Sequence, residues 1–159
     1  MLPRRRDATG ARTKRKRTGE SNPKGQQPKL TERILDQVAD AVICANHSGK
    51  IIRWNHASTA LFGYSAEEAL GQSVELIIPE HLRAPHWSGF DAAMTKGATK
   101  LQGRPTLTRA LHKRGRRLYV EMSFAIVKGG TESEVLGAVA VARDVTERVE
   151  RERAASRSS

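Results

Sequence analysis

Two strands, a group of short helices and three further strands, in that order, predict an α+β fold with five antiparallel strands cupping the helices on one face. Three observations lead there. Ala41–Ala45 and Ile51–Trp54 are β-capable runs on either side of the turn residues Asn46-His47-Ser48-Gly49-Lys50. Arg117–Val127 alternates so that Leu118, Val120, Met122, Phe124 and Ile126 share one face. Between these hairpins, capping residues and glycine stops break the chain into short helical pieces.

Taken in order, Leu30, Ile34, Leu35 and Val38 fall at helical spacing and predict an amphipathic lead-in helix whose stripe needs a cover. Asn55 is placed to N-cap a helix over His56–Phe62, and Gly63 to end it in the left-handed conformation. Ser65-Ala66-Glu67-Glu68 has the form of a capping box for a second short helix, closed by Gly71. Val74–Ile78 is a short apolar turn. Pro79 and Glu80 open a longer segment through about Lys96, with Pro85 expected to delay the regular helix to Pro85 or His86. Leu101–Leu111 reads as a strand broken by Gly103 and Pro105, and His112-Lys113-Arg114-Gly115 as the turn after it. Gly129–Ser133 is the next turn, Val135–Ala142 the last strand, and Val145–Arg153 a charged helix.

The chain has 159 residues with 28 Lys plus Arg against 17 Asp plus Glu, a formal charge of +11. Residues 1–29 hold ten of those cations and only Asp7 and Glu20, so eight of the eleven excess charges lie there. With almost no large apolar side chains, that segment is expected to be a disordered basic tail. It could contact nucleic acid through phosphates, although no aromatic residue is interleaved for base stacking. The domain proper is expected over 30–148, with 149–159 a helix end and tail. Cys44 is the one cysteine, which excludes an intrachain disulfide and a CxxC metal site and suggests a reducing, cytoplasmic location. No apolar run approaches the ~20 residues of a membrane span. Gly-rich phosphate loops, GxSxG, HExxH and kinase signatures are absent from the sequence, so a non-enzymatic role is expected.

Three stretches resemble the PAS family of sensor domains. Ala41–Asn55, with its Trp54-Asn55 pair, is similar to the opening hairpin; Leu61-Phe62-Gly63-Tyr64-Ser65-Ala66-Glu67-Glu68-Ala69-Leu70-Gly71 is similar to the helical signature that follows; and Arg143-Asp144-Val145-Thr146-Glu147-Arg148 resembles the exit from the last strand into a signalling helix. The resemblance implies the strand order of the PAS sheet. It also implies a sensor or adaptor that relays ligand or partner binding to a separate histidine kinase or transcriptional regulator, or acts as a homodimer. Trp54, Asn55, Asp144 and Val145 are the implied signalling positions, with Val145, Val149 and the lead-in stripe on the association surface.

Flavin photochemistry is not expected, because the family's photosensors carry a reactive cysteine in the region matching Gly71–Ile78 and none is present. Haem is an alternative. Pro79-Glu80-His81-Leu82-Arg83-Ala84-Pro85-His86 resembles the segment of bacterial haem-PAS oxygen sensors, which would make His86 the axial iron ligand. An ungapped alignment puts Thr106 where those sensors carry a distal arginine, with Arg104 two residues away. His47, His56, His81 and His112 are expected on the surface. An apolar pocket is expected between sheet and helices, with Ile43, Leu61, Phe62, Leu76, Ile77, Phe90, Met94, Met122, Phe124 and Val139 as its candidates. A third reading is a nucleic-acid-associated regulator acting through residues 1–29.

Overall fold

A computed structural model describes residues 29–131 and 133–158; the basic tail over residues 1–28 lies outside them. The elements are α1 Leu30–Gln37, β1 Ala41–Asn46, β2 Ile51–Trp54, α2 His56–Phe62, α3 Ala66–Ala69, a 3₁₀ turn Val74–Ile77, α4 Glu80–Lys96, β3 Thr106–Leu111, β4 Arg117–Lys128, β5 Val135–Asp144 and α5 Thr146–Arg157. The five strands form one antiparallel sheet in the order β2-β1-β5-β4-β3. The last strand therefore lies beside the first. The segment from α2 to α4 crosses from one sheet edge to the other and covers a single face.

Register decides what each face carries. Ile43, Ala140 and Phe124 lie in one cross-strand row, and Ala41, Ala142, Met122 and Thr106 in the next; both rows look toward the helices. Val42, Cys44, Val139 and Val141 point the other way. The core is anchored by Phe62, Ile51, Leu118 and Val120, all essentially without exposure. Each such side chain contributes about 1.5–3 kcal/mol on burial.

Local signals act as the sequence indicates. The Asn55 carboxamide accepts from the Ser58 N–H at the start of α2. Gly63 ends that helix at φ 83°, and a Cβ there would meet the His112 ring at 2.5 Å. Ser65 and Glu68 form the reciprocal capping box of α3.

Three expectations need correction. First, α4 runs without a break from Glu80, because Pro85 removes only one hydrogen bond near the start of the helix. Second, residues 101–105 are turn and not strand: Gln102 and Gly103 have φ of 49° and 78°, and Arg104 N–H closes onto the Leu101 carbonyl. Third, Val145 and Val149 are 7% and 5% exposed, because α5 folds back on β4, where the Val145 N–H donates to the Tyr119 carbonyl and the Thr146 hydroxyl accepts from the Tyr119 N–H. They form no association surface. Trp54, one of the implied signalling positions, is 6% exposed and points into the core. Its indole N–H donates to Thr59 Oγ1 and the Tyr64 carbonyl, and its ring lies 5.6 Å from that of Phe62.

Candidate functional site

The inner face of the sheet is lined on β5 by Ala138, Ala140 and Ala142. Side chains this small cannot fill the space below α4. None of the 17 residues of α4 is fully buried, and Leu82, His86, Phe90 and Met94 recur every fourth position as a half-buried stripe facing that space. The result is two adjoining cavities. One, of 320 Å³, lies between the 3₁₀ turn, α4 and the sheet, against Ile43, Ile77, Leu82, Thr108, Met122 and Ala140. The other, of 230 Å³, lies further along α4, against Phe90, Met94, Leu101, Ile126 and Ala138. Pro85, His86 and Phe124 border both. The larger is at the lower end of the size range of small-molecule sites.

His86 is the polar feature of this apolar space. Its Nε2 is buried and has no hydrogen-bond partner. Burial pushes its pKa below the usual histidine value, against the opposing charge of Glu75, which favours the neutral ring. Its orientation is set by aromatic neighbours: the Phe90 ring stacks at 6.0 Å and the Trp87 ring meets it edge-on at 5.1 Å. Trp87 is in turn fixed by a 2.6 Å hydrogen bond from Nε1 to Glu75 Oε1 on the 3₁₀ turn. Its ring also occupies the space above Gly49, where a Cβ would approach to 2.2 Å. An orphaned buried imidazole nitrogen costs about 1–3 kcal/mol if nothing ever meets it. The geometry suits a ligand whose polar or metal atom faces Nε2 while apolar surface fills both cavities.

Of the expected pocket residues, Ile43, Ile77, His86, Phe90, Met94, Met122 and Phe124 do line the space. Phe62 belongs to the solid core, and Leu61 and Leu76 pack against that core. Val139 is on the opposite face, across from Cys44. Arg104 is exposed in the turn before β3, with its Nε donating to the Leu101 carbonyl, so it does not line the cavity, whose one bordering arginine among the described residues is Arg109. Thr106 faces inward at the sheet edge, but Thr108 is the β3 hydroxyl that borders the cavity. Thr108, Ala138 and Ala140 escaped the sequence reading; the period-two run Thr106, Thr108, Ala110 was the available signal for the first. The other histidines are peripheral. His47, His56 and His81 are exposed, while His112 is half-buried against Gly63 and accepts from the Arg114 N–H. Among the described residues no group of His, Cys, Asp and Glu is arranged to hold a metal ion.

A second cluster links the sheet to both terminal helices. The buried Asn55 side chain accepts from Val42 N–H, Ser58 N–H and Ser58 Oγ, and donates to the carbonyls of Leu35 and Asp40. It thus joins α1, β1 and α2. Arg143, near the end of β5, makes a bidentate pair with Asp40 at 2.9 Å through each nitrogen, and that pairing holds the Asp40 carboxyl below the ordinary carboxylate range. Asp144 accepts from the Thr146 N–H at the first residue of α5.

The sequence profile of the PAS domain family matches residues 39–147. The chain belongs to the PAS family. Among its relatives, the sensor protein FixL of Bradyrhizobium diazoefficiens is 30% identical over 114 residues, covering 72% of this chain and 22% of FixL. The oxygen sensor protein DosP of Escherichia coli is 25% identical over 101 residues, covering 64% of this chain and 12% of DosP. A crystallised PAS domain of a Colwellia psychrerythraea protein superposes with a TM-score of 0.65 at 29% identity, covering 75% of this chain and 97% of that one. The chain spans only 12–22% of the length of the curated relatives it matches. This PAS domain is therefore a sensory module of the type used in signal transduction. No described helix is long and apolar enough to cross a membrane.

Proposed function

We propose that this PAS domain reports occupancy of the space beneath α4 by a small, largely apolar ligand, with His86 as its polar contact, and that it does so without turning over a substrate. The observation that carries this reading is the partnerless, buried Nε2 of His86 on the wall of an apolar cavity. A ligand there touches β5 at Ala138 and Ala140, and β5 leads to Arg143 and Asp144 at the junction with the terminal helices. The receiver of the signal is a second polypeptide in the cytoplasm, either another copy or a separate histidine kinase or regulator. The outer sheet face and the exposed α1 stripe of Leu30, Ile34 and Val38 offer the contact surface. Native mass spectrometry of the purified full chain tests the reading. A stoichiometric small molecule is expected, lost in Ala140→Phe; an unchanged adduct in that variant counts against the cavity.

Haem is the second reading, favoured by the neutral imidazole and by the partial likeness to FixL and DosP. His86 would hold the iron, which when bound supplies reversible binding of a diatomic gas. On the opposite wall this chain offers the Thr108 hydroxyl, Met122 and Phe124, with Arg109 at the border and no cation from Arg104, so the chain's own role would be to hold the group in a largely apolar surrounding. A visible spectrum of protein produced with added haem decides: no Soret band, or a band unmoved by His86→Ala, removes this reading.

A further inference from the structure

The β3–β4 hairpin carries a group of arginines that the fold leaves uncompensated. Arg109 from β3, Arg114 and Arg116 from the turn, and Arg117 from β4 are all exposed. Elsewhere Arg83, Arg143, Arg148 and Arg151 each pair with a carboxylate, while Arg33, Arg53, Arg104 and Arg157 lack an ion pair among the described residues but lie outside the hairpin; in the hairpin itself Lys113 is neutralised by Glu68. Among the described residues, none of the four hairpin arginines forms an ion pair, and neither does Arg153 beside them. The register sets Arg109 opposite Tyr119, and Arg117 opposite Leu111 on the same face. Arg109 and Arg117 are thus diagonal neighbours, about 7–8 Å apart in a regular ladder. Arg109 and Arg153 approach one ring, with guanidinium carbons 5.8 Å and 4.7 Å from the centre of Tyr119. Glu80 and His81 share the depression between Arg109 and Arg117, which keeps an excess of positive charge. The local field registers on His112, whose pKa is lowered by burial and then by Arg116 and Arg114.

The hairpin is also rigidly presented. Its turn closes through His112 N–H to the Arg116 carbonyl and Gly115 N–H to the His112 carbonyl, at 2.8 Å each. Lys113 N–H is bound to the Phe62 carbonyl at the end of α2.

We propose that this hairpin is a docking surface for the phosphate backbone of nucleic acid, separate from the basic tail and touching the cavity only at Arg109. Guanidinium groups match phosphate oxygens in a bidentate fork, and four of them without an ion pair project from one short ribbon. The turn holds no exposed large apolar side chain, so it is poorly made for insertion into a lipid surface. Nor does the patch offer the exposed aromatic anchor of a protein interface, since Tyr119 is half-buried beneath Arg153. The recognition it supports is independent of base sequence.

The test is fluorescence anisotropy of the full chain with a labelled DNA duplex of about 20 base pairs, titrated across salt concentrations. The variant Arg109→Gln/Arg114→Gln/Arg116→Gln/Arg117→Gln is compared with Arg33→Gln/Arg53→Gln/Lys96→Gln/Lys128→Gln, which removes the same charge from other exposed sites. Each phosphate contact contributes about 0.9 to the slope of log K against log salt. The hairpin variant is expected to lose about two to four units of slope and the control less than about one. Equal behaviour of the two variants overturns the proposal, because binding would then reside in the tail or in net charge. Stronger binding to polyglutamate than to the duplex overturns it too, by making the partner an acidic protein. Circular dichroism melts of both variants verify that the fold is retained.

Discussion

The two faces of the sheet use the same strands for opposite purposes. On the inner face β5 presents alanines, and the helix above stands clear, so space is left around His86. On the outer face the alternate residues are Val139 and Val141, joined by the half-buried Cys44 and the buried Val42, and apolar surface is left over at the first three instead. One residue of parity separates a cavity from a surface in want of a cover. Between Ala138 and Ala142, past the bulge at Leu136, a change in β5 therefore acts on ligand or on association according to whether its number is even or odd, and this can be tested directly.

The largest effect is expected at the rim where the faces meet. Asn55→Ala removes five hydrogen bonds and strands buried partners, including the Val42 and Ser58 amides. Urea denaturation should show a loss on the order of 3 kcal/mol; a loss below about 1 kcal/mol would mean that α1 is not tied to the sheet through this side chain. Next comes Ala140→Phe on the inner face. It should keep the fold at a cost of about 1–3 kcal/mol while abolishing ligand retention. A far larger cost would show that the space is already filled by protein. Smaller again is Val139→Lys/Val141→Lys on the outer face. Stability should change by about 1 kcal/mol, whereas light scattering should show loss of self-association; an unchanged mass at high concentration would free that face from the role assigned to it.

The smallest effect is in pH. His86 has a lowered pKa in the fold, so the unfolded chain takes up its proton first. The neutral ring's contribution is complete above the ordinary histidine value of about 6.5 and declines as the pH falls through it. His86→Phe should flatten that acid limb in melts taken from pH 7.5 to 5, and a limb of unchanged slope would assign it to other groups.

The legible parts of this fold are those whose cause is local. Asn55, Gly63 and the Ser65–Glu68 box each act within a few residues, and the helix limits they imply are the ones found. The β4 alternation is legible because polar Glu121 and Ser123 mark its other face. In β5 both faces are apolar, so nothing in Val139-Ala140-Val141 tells which residues look inward, and Val139 was placed on the wrong side for that reason. His86 was legible as a candidate from the helix segment. Its missing partner was not, since that depends on strands more than 20 residues away in sequence. Arg104 failed for a related reason: whether it reaches the pocket depends on where β3 begins, and the turn at Gln102-Gly103 starts the strand later.

The pair between Asp40 and Arg143 has one more implication. Asp40 directly precedes β1, and Arg143 stands next to Asp144, which accepts from the first amide of α5. Although 103 positions apart in the chain, they pin the incoming and outgoing helices to a common hinge, so a tilt begun at one should be mirrored by the other.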